Sequence, residues 1–358
     1  MNAVGSSPVD ERGDVIFFTD QETGLRGITV LDDAGLSPAV GACRSRPYVD
    51  EERALGDALR QARTTTAKAL IAGLPVSGAC TVLLSSSPVG SRAASPMPAI
   101  GRAVEMLGGR YRLLPDLQGD LKNMEEAAGD TTFLLGRPSD IEIDPAAAAA
   151  LGLRHGIAAA VRRRLGRESL MGVRIGIIGL GDVGFSLAEI LRQEGARLTV
   201  ADRDPRRTER AVRALGITCV TTEEIIHLDM DVLAPTAAKE TVQDGMISHL
   251  RCKIVAGAVD DALQSPMLGK ALHDRGILYL PDSVVNAGGL ISLVQPLLGE
   301  EARAIPLLDQ LRAIGDRLVM VMERAEHDNL ATAVAAERLA EEILARRLGI
   351  EPAQQMAS

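Results

Sequence analysis

The chain has 358 residues, 46% of them hydrophobic and 24% charged, with a net charge of −9, four cysteines and no tryptophan. That length allows two domains of ordinary size, each with its own core. With aromatics at only 2%, those cores must be packed from Ala, Val, Leu, Ile and Met. The acidic balance argues against nucleic acid as a partner. The densest basic run, RRRLGR at 162–167, reads as the solvated end of a helix rather than a phosphate-binding surface. The cysteines show no CxxC spacing and the histidines no close-spaced set, so neither a disulfide scaffold nor a metal site is expected. The opening MNAVGSSPVDERGD has no basic n-region and no apolar core, and the apolar stretch 69–84 is broken by Gly73, Pro75 and Gly78. A cytoplasmic protein without signal peptide or membrane span is the expectation.

In chain order, residues 15–18 and 27–31 read as two strands joined at Glu22-Thr23-Gly24, a hairpin. Residues 50–72 predict a helix with an acidic first turn, apolar at Leu55, Ala58, Leu59 and Ala62, and closed by glycine. A short strand at 81–84 follows, then a Ser/Pro-rich loop to 98, a helix at 100–107, a strand at 111–114 and a helix at 121–128. The alanine-rich run from 146 starts a long helix reaching about 165. Next come a β-branched strand (173–177), Gly179-Leu180-Gly181-Asp182-Val183-Gly184, a helix-period run and a second strand ending at Ala201-Asp202. That order of strand, glycine turn, helix, strand and acidic residue is the context a GxGxxG needs to bind a dinucleotide. Gly179 permits the turn, Gly181 and the backbone of Asp182 and Val183 face the phosphates, and Gly184 lets the helix lie close to the sheet. Asp202, eighteen residues after Gly184, is placed to accept from a ribose 2′-hydroxyl and favours NAD; Arg203, Arg206 and Arg207 leave NADP open. Further strands are expected near 219 and at 232–234, 254–256 and 278–280. This alternation implies a parallel sheet covered by helices on both faces. Terminal helices are expected at 305–325 and 330–348.

The segment Pro281-Asp282 followed by Asn286-Ala287-Gly288-Gly289 resembles the glutamate/leucine/phenylalanine/valine dehydrogenase superfamily, most closely its leucine and phenylalanine branches. The likeness also takes in Leu36-Ser37-Pro38-Ala39 with Gly41, Asp57-Ala58-Leu59-Arg60, Ala72-Gly73-Leu74, Gly78-Ala79, Ala234-Pro235 and Ala256-Gly257-Ala258. It implies an α/β chain of two domains with a cleft between them. Residues 1–145 would form a substrate and oligomerisation domain, to which the helix from about 330 returns, and 146–329 a Rossmann domain. It also implies Pro235, Ala256 and Asn286 beside the cofactor, a small amine or amino acid as substrate, and a homo-oligomer.

The resemblance assigns Lys68 to the lysine that binds the substrate carboxylate and Asp116 to the aspartate of proton transfer. The family's second lysine, the acid and base of the hydrolytic step, falls on Cys80 in Ser77-Gly78-Ala79-Cys80. A thiol is a weak donor and cannot copy an ammonium. Further departures are Gly41-Ala42-Cys43-Arg44 for a Gly-Gly pair, Ala149 for a threonine, and Asp260-Asp261 for an Asn-Asn pair. Cys80 reads either as a packing residue or as a nucleophile. Lys68 and Asp116 read either as site residues or as ordinary helix and loop charges. The expectation is an oxidoreductase that turns over an amine or imine without ordinary oxidative deamination; the alternative is a catalytically inactive homologue that binds dinucleotide as a regulator or scaffold.

Overall fold

The computed structural model describes residues 12–45, 47–84, 95–115, 126–237, 242–257, 263 and 266–349. The described residues fall into two compact units: one up to Ile141 together with those from Glu341 onward, the other Glu142–Ala340. Among them no helix is long and apolar enough to cross a membrane.

The first unit is built on strands β1 (Asp14–Thr19), β2 (Arg26–Leu31), β3 (Ala39–Arg44), β4 (Ser77–Leu83) and β5 (Tyr111–Leu114) in the order β1-β2-β4-β3-β5. β1–β2 and β2–β4 pair antiparallel, while β4–β3 and β3–β5 pair in parallel. The hairpin is closed by Asp20, whose carboxylate accepts from the Thr23 amide at 2.9 Å, and by Gly24 at φ 70°. Helix α1 (Glu51–Ala72) starts at Asp50, whose side chain accepts from the Arg53 amide, and ends at Gly73 in the left-handed conformation. Its buried Ala54, Ala58 and Ala62 lie on Ile28, Val30, Cys80 and Val82. Methyl-sized side chains bring that helix down onto the strand, and a Cβ on Gly78 would stand only 2.0 Å from the Ala62 carbonyl oxygen. Helix α2 (Met97–Glu105) covers the other face through Met97, Ile100 and Val104, with Tyr111 and Leu113.

β3 has no counterpart in the elements expected from sequence. Its sequence AVGACR carries a glycine and two alanines where strand patterns normally show β-branched residues. Its place in the sheet requires the glycine: a Cβ on Gly41 would fall 1.7 Å from the Ala79 carbonyl oxygen. β4 likewise begins earlier than expected, because its first half is Ser-Gly-Ala-Cys.

Inside this sheet runs a chain of buried hydroxyls. The Thr29 and Thr81 hydroxyls meet at 2.9 Å, Thr81 donates to the Tyr111 hydroxyl at 3.4 Å, and Tyr111 donates to the Gly41 carbonyl at 3.0 Å. Burial pushes the Tyr111 phenol well above its usual range, so it stays a hydroxyl donor.

The second unit carries a parallel sheet of β6 (Arg174–Ile178), β7 (Arg197–Ala201), β8 (Thr218–Cys219), β9 (Val232–Pro235), β10 (Ile254–Ala256) and β11 (Leu278–Leu280), ordered β11-β10-β9-β6-β7-β8. The helices are α3 (Pro145–Leu165), α4 (Asp182–Gln193), α5 (Pro205–Leu215), α6 (Pro266–Asp274), α7 (Leu307–Asp328) and shorter turns between them. Helix α8 (Thr332–Leu348) begins in this unit and ends in the first, where Leu344 packs with Ala34 and Leu70. The strand order reverses at β6, and in doubly wound sheets that reversal opens the ligand crevice at the carboxyl ends of the strands. The expected mixed α/β fold with a Rossmann sheet is what the chain adopts. Of the expected elements, residues 121–125 of one helix lie outside the described residues.

Replacing Tyr111 by Phe should remove the hydroxyl that holds Gly41 and cost about 1–3 kcal/mol, the penalty for losing a buried hydrogen bond. Urea unfolding checks this as a lower midpoint with far-UV dichroism of the native state unchanged; an unmoved midpoint would show the bond to be idle.

Candidate functional site

The dinucleotide cradle is built from the carboxyl ends of β6, β7 and β9. Gly179 leaves β6 at φ 101°, and a Cβ there would meet Ala237 at 2.5 Å. Gly184 packs more tightly still: its Cβ would stand 2.0 Å from the Gly179 carbonyl oxygen and 2.4 Å from Thr236 Oγ1. Gly181 is different, since among the described residues the one neighbour within 4 Å of a Cβ there is Arg207 Nη1 at 3.8 Å. Gly184 and Gly179 are glycine so that the turn can fold, whereas Gly181 leaves an open space. Gly181 is also the N-cap of α4 and supplies no side chain to the helix's first amides. Uncapped amides at the positive end of a helix, beside an open backbone, suit a pyrophosphate. The residues present therefore fit a nicotinamide dinucleotide, which the backbone of Gly181, Asp182 and Val183 could hold.

Asp202 closes the cradle from the end of β7. Its carboxylate accepts from the Leu180 amide at 2.6 Å and from the Asp204 amide at 2.8 Å. Asp204 in turn caps α5 by accepting from the Arg206 amide at 3.0 Å. Arg203 is exposed. Thr236, which follows Pro235, donates to the Gly179 carbonyl at 2.7 Å and fixes the turn from the β9 side. Sequence reasoning missed Thr236 and the placement of Arg207. A hydroxyl residue at a strand end was the only trace of the first, and nothing in spacing marked the second.

Pro235, Ala256 and Leu280 end β9, β10 and β11 and are buried. After β11, Pro281 opens the short helix Asp282–Val285, and half-buried Asn286 leads into the helix Gly288–Leu293. Gly288 sits against α3: a Cβ on it would come within 2.1 Å of the Ala148 carbonyl and 3.0 Å of the Ala149 Cα. Ala149, 1% exposed, brings no hydroxyl to that contact.

In the first unit, Lys68 lies on the last part of α1 and is buried, on a helix that also buries Asp57, Gln61 and Thr66. Thr66 accepts the Gly78 amide at 2.8 Å, which ties that part of α1 to the start of β4. Cys80 follows two residues later on β4. It is 2% exposed and surrounded by Ile28, Val30, Ala54, Ala58, Ala62 and Val82. Its thiol reaches the Thr81 carbonyl at 3.7 Å. Of the departures named above, Cys43 is half-buried on β3 and Arg44 Nη1 lies 3.9 Å from Asp57. Asp57 also accepts from the Tyr48 hydroxyl at 2.7 Å and from Arg60 at 2.5 Å. Asp116, Asp260 and Asp261 lie outside the described residues. Among the described residues no group of three or more His, Cys, Asp or Glu is arranged to hold a metal ion.

A family model described as NADP oxidoreductase, coenzyme F420-dependent, matches residues 174–255, the stretch from β6 to β10. Over 333 residues the chain is 36% identical to leucine dehydrogenase of Bacillus cereus, covering 92% of this chain and 90% of that one. The crystal structure of L-tryptophan dehydrogenase from Nostoc punctiforme superposes with a TM-score of 0.78 at 33% identity, covering 94% of this chain and 97% of that one. Hetero-hexameric glutamate dehydrogenase from Thermus thermophilus, in its Leu bound form, gives 0.71 at 25% identity, with 96% and 91% covered.

The two glycines should separate folding from binding. Gly184→Ala forces backbone apart and should lower the melting temperature by several degrees, as overpacking costs about 1–3 kcal/mol. Gly181→Ala should melt like the wild type yet bind NADH at least about tenfold more weakly, read by calorimetric titration. Equal loss of stability in both would contradict this division.

Proposed function

The chain belongs to the glutamate/leucine/phenylalanine/valine dehydrogenase superfamily, and from that premise we propose that it interconverts an amine and an imine without carrying the reaction on to hydrolysis. It is an oxidoreductase that works with a nicotinamide dinucleotide.

Oxidative deamination removes a hydride from Cα and a proton from nitrogen, then adds water to the C=N bond and releases ammonia. The bound dinucleotide supplies the hydride acceptor. Positioning and electrostatic support govern the first half. In this reading Lys68 anchors the substrate carboxylate from α1, and Asp116 accepts the proton that leaves nitrogen. The second half needs a water activated beside the imine carbon and a group that reprotonates the departing amine. Cys80 stands where the resemblance puts that group.

The observation that carries the reading is the environment of Cys80. Six apolar side chains pack around it. A thiol in apolar packing behaves as a small hydrophobe. Unlike the lysine ammonium that the resemblance implies, it carries no positive charge. The substrate that fits is an amino-acid-derived amine or an imine already formed, such as a cyclic one. Asp202 offers an acceptor to a ribose 2′-hydroxyl, which supports NAD as a cofactor.

A second reading, a dinucleotide-binding partner without turnover, is favoured by Ala149, which leaves the contact with Gly288 without a hydroxyl. A spectrophotometric screen of NAD(P)H turnover over amines, cyclic imines and oxo acids with ammonia separates the two readings, because the inactive homologue turns over none.

With leucine, valine, phenylalanine or glutamate, oxidative deamination should be at least about 10²-fold slower than a positioned acid and base would give, measured as NADH formed together with ammonia released. Stoichiometric ammonia at ordinary dehydrogenase rates would refute the proposal. Cys80→Lys should raise deamination, while Cys80→Ala should change amine or imine turnover by no more than about threefold.

We also propose a homo-oligomer formed through the first unit. β1 is an edge strand that leaves Val15 and Phe17 exposed, at 42% and 57%. An apolar edge of this kind invites pairing with a second copy. Light scattering at micromolar concentration should give at least a dimer mass; a monomer throughout would refute it.

A further inference from the structure

We propose that Arg207 reads the 2′-phosphate of NADP, so that this chain binds NADP about as well as NAD although β7 ends in an aspartate. The proposal rests on the dinucleotide reading of the glycine turn and adds to it the choice of cofactor.

Asp204 caps α5 and Pro205 opens it, which puts Arg207 in the first turn. Helical side chains lean toward the helix N-terminus, so Arg207 is directed back over the end of β7. There its Nη1 lies 3.7 Å from Asp202 Oδ2 and 3.8 Å from a Cβ built on Gly181, the nearest atom to that open face among the described residues. The guanidinium thus spans the space between the ribose-reading carboxylate and the phosphate-facing backbone.

Two other arginines of α5 are engaged elsewhere. Arg210 stacks on the Phe185 ring at 3.8 Å, and Arg213 pairs with Glu209 at 3.2 Å. Arg207 keeps about half of its side chain exposed, so it can turn from Asp202 onto an incoming anion.

Asp202 is poorly suited to exclude a phosphate. Both of its oxygens already accept a backbone amide, from Leu180 and from Asp204. Its charge is shared with those donors and faced by Arg207. An aspartate without such a neighbour repels a 2′-phosphate, whereas one held beside a guanidinium forms part of a mixed site. A planar guanidinium also suits the two oxygens that a terminal phosphate presents.

Direct binding tests this without turnover. The chain has no tryptophan, so the fluorescence of reduced nicotinamide can be titrated with little protein background. The wild type should bind NADPH within about tenfold of NADH. Arg207→Ala should weaken NADPH at least about tenfold and leave NADH within about threefold, with an unchanged melting temperature. Equal weakening of both nucleotides would overturn the proposal alone, because it would make Arg207 a pyrophosphate contact. Unchanged NADPH binding in Arg207→Ala, or wild-type NADPH affinity far below tenfold of NADH, would also overturn it alone. A wild type that binds neither nucleotide would overturn it together with the dinucleotide reading beneath it.

Discussion

Backbone brought against backbone is the constraint on which both units depend. An interior with so little aromatic bulk cannot be filled by large rings, so it is closed by moving main chains together. The closest approaches occur at glycines: Gly41 on Ala79, Gly78 on Ala62, Gly184 on Gly179 and Gly288 on Ala148. Each contact leaves no room for a Cβ, and each belongs to a segment that carries candidate site residues. The first two bind β3 and α1 to β4, and the third sets the nucleotide turn. The fourth seats α3 against the segment that follows Asn286. Precision at the sites is therefore inherited from packing, because a displaced main chain would move the groups that line them.

That same economy decided what could be read in the sequence. The second unit was legible because buried parallel strands made of Ile, Val and Leu alternate with amphipathic helices, and the glycine turn sits between two of them. The first unit was less so. β3 and the first half of β4 are written in Ala, Gly, Ser and Cys, residues with little strand preference, and their pairing is fixed by contacts far apart in sequence. In the nucleotide site, Gly179, Gly181, Gly184 and Asp202 are marked by spacing. Thr236 and Arg207 are not, since their reach toward the turn depends on where β9 and α5 are placed in space. The surroundings of Cys80 were legible only in outline: an apolar run around a cysteine suggests burial, but the alanine face of α1 that covers it is a product of the fold.

The chemistry divides along the same line as the packing. The nucleotide turn keeps every steric feature that a dinucleotide needs. Cys80 packs in an apolar cluster, at the position where the family resemblance implies a charged group. Hydride transfer draws on geometry, which the close contacts preserve, whereas hydrolysis draws on a titrating cation and an activated water. Under the proposed function, one side chain on β4 decides whether the two steps stay coupled.

The most direct measurement follows the label. The protein would be supplied with reduced cofactor carrying deuterium at C4 and two candidate acceptors, a five-membered cyclic imine bearing a carboxylate, and 4-methyl-2-oxopentanoate with excess ammonium. Mass spectrometry of the products then reports which carbon received the hydride. The account predicts deuterium at Cα of the cyclic amino acid and none in leucine. Deuterated leucine formed as fast as the cyclic product would contradict it, for the site would then be forming its imine from ammonia in the ordinary way.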